Sequence, residues 1–151
     1  MKKIIFVCLG NICRSPMAEF VMKDIVDKAG LSHEFEIASA ATSTYEIGNP
    51  VYPPARQKLA EHGIDCKGKT ARQITKRDYD YYDYIIAMDK SNIRNLKNML
   101  SNDPQGKISL LMDYTSRPAD VADPWYTGDF QATWDDVTEG CEALLSFILK
   151  Q

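Results

Sequence analysis

The stretch Met1-Lys-Lys-Ile-Ile-Phe-Val-Cys8-Leu-Gly10-Asn-Ile-Cys13-Arg14-Ser15-Pro16 decides the fold. Its apolar run from Lys3 to Leu9 predicts a buried first strand. That run is too short for a membrane span or a signal peptide, and no small-residue cleavage site follows it. Ser15-Pro16 predicts a helix N-cap and first helical residue, because proline's fixed φ and missing N–H suit that position. The quoted stretch therefore predicts a strand, a short loop and the start of a helix.

The same alternation continues along the chain. Phe35 to Ala41, Tyr84 to Met88 and Ile108 to Met112 read as further strands, mostly as continuous apolar runs suited to burial on both faces. Between them Ala18, Val21, Ile25 and Ala29 recur at helical spacing, as do Ile93, Leu96, Met99 and Leu100. Phe130, Trp134, Val137, Cys141, Leu144 and Ile148 form the apolar stripe of a final amphipathic helix. Strand–helix alternation predicts a parallel sheet covered on both faces. The fold class expected is α/β, a single-domain three-layer α/β/α arrangement over residues 1–151 with a four-stranded parallel sheet. Ligands of such folds sit beyond the carboxyl ends of the strands, where the strand order reverses. There is no sign of an internal repeat, a low-complexity tract or a second domain.

Composition narrows the function. With 151 residues, 44% hydrophobic and 26% charged, the chain has the balance of one globular domain. Its net charge of −3 argues against a nucleic-acid partner. Four cysteines, Cys8, Cys13, Cys66 and Cys141, are few for the length, which predicts reduced thiols and a cytoplasmic setting. No C-x-x-C or H-E-x-x-H pattern is present, so no metal site is expected.

The first loop has the makings of an oxyanion cradle. Residues Leu9 to Arg14 lie against a helix N-terminus, whose unpaired N–H groups favour an anion. Gly10 permits close backbone approach, and Asn11 tolerates left-handed φ. Arg14 supplies a planar fork for two phosphate oxygens. The G-K-[ST] ending of a nucleotide P-loop is absent. Cys8 opens the loop, where positive surroundings are expected to favour its thiolate for attack on a bound phosphate. An unpaired cysteine at a strand end is often just a small buried hydrophobe. Gly10, Arg14 and the Ser-Pro start beside it favour chemistry.

The segment Val7-Cys8-Leu9-Gly10-Asn11-Ile12-Cys13-Arg14-Ser15-Pro16-Met17-Ala18-Glu19 resembles the signature of the low-molecular-weight protein tyrosine phosphatases. C-x5-R alone is a weak pattern; the fuller segment, at the first strand-to-helix turn, is specific. Ser39-Ala-Ala-Thr-Ser43, Gly48-Asn-Pro50, His62-Gly-Ile64, Ala71-Arg72-Gln73, Met88-Asp89 and Asp123-Pro124-Trp125-Tyr126 look like further family landmarks. The resemblance implies hydrolysis of phosphotyrosine and aryl phosphate monoesters through a cysteinyl phosphate, without cofactor or metal. It implies Cys8 as nucleophile and Asp123 as general acid, then base. Leu9, Gly10, Asn11, Ile12, Cys13, Arg14 and Ser15 would hold the phosphate, with Arg14 as clamp. Ser15 would hydrogen-bond the sulfur, and Asn11 and Ser39 would brace the loop with it. Leu9, Tyr45, Trp125 and Tyr126 are implied walls of an aryl slot. Cys13 either packs or traps an oxidised Cys8 as a disulfide.

The resemblance also implies a phosphotyrosine protein as partner, such as a bacterial tyrosine kinase or a polysaccharide-assembly protein, and a monomer. It allows export without a recognisable signal. The chain departs from the family at two places. Lys69 stands roughly where a further histidine often joins the bracing network, and Val51 to Arg56 lacks the usual Pro-x-Asp-x-Arg. The run Asp78-Tyr-Asp-Tyr-Tyr-Asp-Tyr84 reads as a polar, aromatic lead-in to the third strand rather than a set of regulatory phosphotyrosines.

Three rival readings fare worse. Arsenate reduction needs a relay of neighbouring cysteines, and Tyr84 to Asp113 contains none. A phosphoryl carrier has no use for a hydrolytic acid such as Asp123. A phosphotyrosine-binding module without turnover would be expected to lack the nucleophile or the acid.

Overall fold

The computed structural model describes residues 1–151. Four parallel strands, β1 (Lys2–Cys8), β2 (Phe35–Ala41), β3 (Tyr84–Ala87) and β4 (Ile108–Leu110), form one sheet in the order β2-β1-β3-β4. Six helices accompany them: α1 (Arg14–Lys28), α2 (Pro53–Glu61), α3 (Lys76–Tyr81), α4 (Lys90–Met99), α5 (Pro124–Thr127) and α6 (Phe130–Leu149). No helix is long and apolar enough to cross a membrane.

The central strand shows why the apolar runs are continuous. Ile4, Phe6 and Cys8 of β1 face a core shared with Met17, Val21 and Met22 of α1, Leu59 of α2 and Val137, Cys141 and Leu144 of α6. Ile5 and Val7 face the opposite way, into a core with Tyr79 of α3, Leu96 of α4 and Ile85 of β3. Successive strand side chains point to opposite faces, so a strand covered on both sides must be apolar at every position. Burying each such side chain contributes roughly 1.5–3 kcal/mol. Gly140 of α6 lets that helix lie against a 3-10 turn at Leu111–Tyr114; a Cβ there would sit 2.5 Å from Leu111 Cγ.

The sheet agrees with the sequence in number, direction and place of strands, and the ends differ slightly. β1 stops at Cys8 rather than Leu9, and β3 at Ala87 rather than Met88. β4 is only Ile108–Leu110, because Leu111 and Met112 enter the 3-10 turn while staying fully buried. The start of α1 is a correction of substance. Arg14 is already helical, Cys13 is the N-cap without a side-chain hydrogen bond, and Ser15 and Pro16 lie inside the first turn. The Ser15 hydroxyl does not cap the helix because it is engaged by Cys8 and Asn11.

Strand order decides where a ligand can sit. The chain leaves β1 for β2 on one side and later returns to β3 on the other. The carboxyl ends of β1 and β3 thus flank a reversal, and the segments following them, from Leu9 and from Met88, face each other across it.

Candidate active site

Beyond the end of β1 lies a cavity of about 150 Å³ lined by Cys8, Leu9, Gly10, Ile12, Cys13, Arg14, Tyr45, Glu46, Asp123 and Trp125. Residues from the first loop, from the segment after β2 and from the start of α5 therefore meet there. The loop is pinned from several sides. Thr42 N–H donates to Cys8 O at 3.0 Å, Ser43 N–H to Leu9 O at 3.1 Å, and Tyr52 N–H to Ile12 O at 2.9 Å. Asn11 has φ of 59°, the left-handed conformation expected of it.

The Cys8 thiol is held, not merely packed. Its Sγ lies 3.0 Å from Ser15 Oγ and accepts from Asn11 N–H at 3.3 Å. Asn11 Nδ2 donates to Ser15 Oγ at 2.8 Å and to Ser39 Oγ at 2.9 Å, while its Oδ1 accepts from Arg72 N–H. The structure thus brings Cys8, Asn11, Ser15 and Ser39 into one connected set. Every member is buried, where an unpaired polar group would be costly.

Arg14 is 2% exposed and fixed by three oxygens. Its Nη1 donates to Asp89 Oδ2 at 2.7 Å and to Val121 O at 2.9 Å, and its Nη2 to Asp123 Oδ2 at 3.4 Å. Burial works against the guanidinium's charge, but Cys8, Asp89 and Asp123 around it more than compensate and hold its pKa above the usual arginine value. Met88-Asp89 only looks like a family landmark, and nothing in the sequence marks Asp89 as the partner of Arg14. It stands two residues beyond the end of β3, at the N-cap of α4, so the strand reversal delivers it to the loop. Its other oxygen, Oδ1, accepts from Asn92 N–H at 2.8 Å and caps α4.

Asp123 caps the short helix α5, its Oδ1 accepting from Trp125 N–H at 3.1 Å, with Pro124 at the first helical position. Its second oxygen faces Arg14. Trp125 lines the cavity and packs on Tyr52, ring centroids 4.9 Å apart. Tyr45 also lines the cavity, although 79% exposed. Tyr126, 78% exposed, is not among the lining residues. Glu46 is a lining residue that sequence reasoning missed; an exposed loop glutamate carries no local signal.

Cys13 lines the same cavity, and burial, then the neighbouring Cys8 and Asp123, push its thiol pKa up to about 12. All four cysteines are free thiols. Lys69 Nζ donates to Ser39 O at 2.9 Å. In the tyrosine cluster, Tyr79 is buried with its hydroxyl on Asp103, and Tyr82 is buried in the core. His62 stacks on Trp134 of α6 at 3.9 Å.

Comparison with known proteins agrees with this geometry. The family described as "Low molecular weight phosphotyrosine protein phosphatase" matches residues 3–151. The chain is 43% identical to the Bacillus subtilis "Low molecular weight protein-tyrosine-phosphatase YfkJ", covering 100% of this chain and 98% of that one. It is 42% identical to the human "Low molecular weight phosphotyrosine protein phosphatase", covering 95% and 94%. The crystal structure of B. subtilis YfkJ superposes with a TM-score of 0.96 over 99% of this chain and 96% of that one. A Streptococcus pyogenes low molecular weight protein tyrosine phosphatase, 47% identical, superposes at 0.88 over 97% and 92%. The chain belongs to the low molecular weight phosphotyrosine protein phosphatase family.

Proposed function

We propose that the protein hydrolyses phosphotyrosine and related aryl phosphate monoesters in two steps. The observation that carries this reading is the placement of Cys8 Sγ on Ser15 and Asn11 in a cavity that also presents Arg14 and Asp123. The phosphoryl group binds over the loop, its oxygens held by backbone N–H groups of Leu9 to Ser15 and by the Arg14 fork. Cys8 Sγ attacks phosphorus in line, the P–O bond to the aryl oxygen breaks, and protonated Asp123 gives that oxygen its proton. Asp123, now a carboxylate, takes a proton from water as the water oxygen attacks phosphorus. The S–P bond breaks, its electron pair returns to Sγ, and phosphate leaves.

Leu9, Tyr45 and Trp125 form the sides of the aryl slot, and Tyr126 reaches substrate only outside the cavity, on the flanking peptide. The natural substrate in this reading is a phosphotyrosine protein, such as a bacterial tyrosine kinase or polysaccharide-assembly protein, met by a cytoplasmic monomer. Cys13, lining the same cavity as Cys8, serves as a redox trap for it; peroxide inactivation reversed by thiol in the wild type but not in Cys13→Ser supports that role.

The test is hydrolysis of an aryl phosphate by the wild type, Cys8→Ser and Asp123→Asn, with chelator present. Turnover by the wild type, none by Cys8→Ser, and a deficit in Asp123→Asn that grows with leaving-group pKa are expected. A wild type that binds phosphate without turnover would make the loop a receptor only.

A further inference from the structure

Tyr52 stands where the segment after β2 passes behind the phosphate loop, in the stretch that departs from the family pattern. Pro53 follows it and keeps it out of the helical region; its φ of −57° and ψ of 135° are extended. Its backbone is engaged at both ends. The N–H donates to Ile12 O at 2.9 Å, and the carbonyl accepts from Arg56 N–H at 3.0 Å as α2 begins. The ring rests against the buried group of Ile12, Cys13 and Ala71. Tyr52 thus supports the phosphate loop with backbone and ring alike.

The same ring meets the turn that carries Asp123. Trp125 lies on it with centroids 4.9 Å apart and planes at 54°, and Phe130 at 6.1 Å and 31°. Trp125 belongs to α5 and Phe130 opens α6, so Tyr52 grips the connection on both sides of Gly128. With four residues α5 has no cooperative stability of its own, and its place is set by what it packs on. Val121 N–H on Met88 O at 2.8 Å fixes the chain before Asp123, and Pro124 just after it is buried. Beyond that the hold passes through Trp125, whose N–H bonds Asp123 Oδ1 at 3.1 Å. The second carboxylate oxygen is held by Arg14 Nη2 at a longer 3.4 Å.

We propose that Tyr52 is a positioning residue for the general acid: joined to Ile12 by its N–H and to Trp125 by its ring, it fixes Asp123 Oδ1, through the Trp125 N–H, relative to a phosphoryl group in the loop. This rests on the two-step reading above. Tyr52 is not among the residues lining the cavity, so it acts without touching substrate. Its effect falls on proton transfer to the departing aryl oxygen. That effect grows with the basicity of the oxygen, because a phenolate that leaves readily needs little help from an acid.

The experiment compares kcat/KM for para-nitrophenyl phosphate and for phenyl phosphate, which has the poorer leaving group. The proteins are wild type, Tyr52→Leu, Tyr52→Phe, Asp123→Asn and the double variant Tyr52→Leu/Asp123→Asn. Melting curves confirm that each is folded at the assay temperature, and Tyr52→Met replaces Tyr52→Leu if that variant melts. Tyr52→Leu should lose about tenfold on phenyl phosphate and no more than about twofold on the nitrophenyl ester, a deficit of the size one aromatic pair supplies. Tyr52→Phe keeps the ring and should restore both rates. On phenyl phosphate the double variant should be no slower than Asp123→Asn, since both changes act through one carboxyl. A second readout needs no turnover. With Trp134→Phe leaving Trp125 as the sole tryptophan, Tyr52→Leu should shift its emission to the red and raise its quenching by acrylamide, and Tyr52→Phe should do neither. No loss or equal losses on the two esters, no rescue by phenylalanine, costs that multiply with Asp123→Asn, or an unmoved Trp125 emission would each overturn the positioning role and leave the two-step reading in place. A wild type that turns over neither ester overturns the two-step reading, and with it the acid that Tyr52 is held to position, whatever the emission shows.

Discussion

Asp89 does two jobs with its two oxygens, and they can be separated by substitution. Oδ1 accepts from Asn92 N–H and caps α4; Oδ2 accepts from the buried Arg14 guanidinium. Asp89→Ser keeps a good N-cap but is too short to reach Arg14, whereas Asp89→Ala loses both bonds. Losing a hydrogen bond to a charged group costs about 1.5–3 kcal/mol, and losing an N-cap costs about 1 kcal/mol more. Asp89→Ser is therefore expected to lose roughly 2 kcal/mol and Asp89→Ala roughly 3 kcal/mol. At about 2–4 °C per kcal/mol for this chain length, Tm should fall by some 4–8 °C and 6–12 °C respectively. The two variants should lose kcat/KM on an aryl phosphate equally, by roughly 10- to 100-fold, since both free the same guanidinium. Thermal melts and steady-state kinetics on the pair decide the matter. Equal melting temperatures, or activities that differ tenfold between the two, would show that cap and clamp are not the separate functions assigned to the two oxygens.

Two further outcomes concern stability. Gly140→Ala gains helix propensity of about 1 kcal/mol but drives a methyl into Leu111, an overpacking cost of about 1–3 kcal/mol; a net drop in Tm is expected, and an unchanged or higher Tm would mean that Leu111 moves aside freely. Asp103 accepts from Tyr79 O–H, Lys107 N–H and Ile108 N–H. Burial pushes its carboxyl pKa up, but these bonds outweigh it and hold the pKa below the ordinary value. The stabilisation is thus present above the unfolded-state pKa of about 3.9 and is lost as pH falls through the lower folded value. Asp103→Asn should melt below the wild type at pH 7, with the gap closing in acid. A gap that persists undiminished in strong acid would refute the assignment.

Much of this architecture is legible in the sequence because the central sheet obeys local rules. Strands buried on both faces must be continuously apolar, which makes β1 and β3 legible, and Phe35–Ala41 has the ends its sequence predicts although Glu36 and Ser39 interrupt its apolar run. The same rule fails at Leu111 and Met112, since a buried 3-10 turn and a buried strand make the same demand for apolar side chains. Ser15-Pro16 misled for a different reason: the serine hydroxyl that would cap a helix is taken by the thiol and by Asn11. The helix at Pro53–Glu61 is not among the sequence expectations, because its two prolines, which look like a loop, fill the first helical positions. At the site, the loop residues are contiguous and carry their own pattern. Asp89, Glu46 and the contacts of Lys69 depend on strand order and on segments far apart in the chain, which no local spacing encodes.

The placement of β1 has a consequence for motion. That strand is paired on both sides and buried on both faces, and the phosphate loop leaves directly from its end, tied by Thr42, Ser43, Tyr52 and Arg72. Functional loops are usually drawn from the least stable parts of a protein. Here the loop is tied to a strand that is paired on both sides and buried on both faces. Amide exchange in residues 9–14 should therefore track global unfolding, and the cradle should stay preformed up to the melting transition. In the proposed reaction, adaptation to different substrates then falls to the rim, where Tyr45 is 79% and Trp125 53% exposed on segments of their own. The chemistry thus falls to a loop held by the central strand, and the choice of substrate to exposed side chains at the rim.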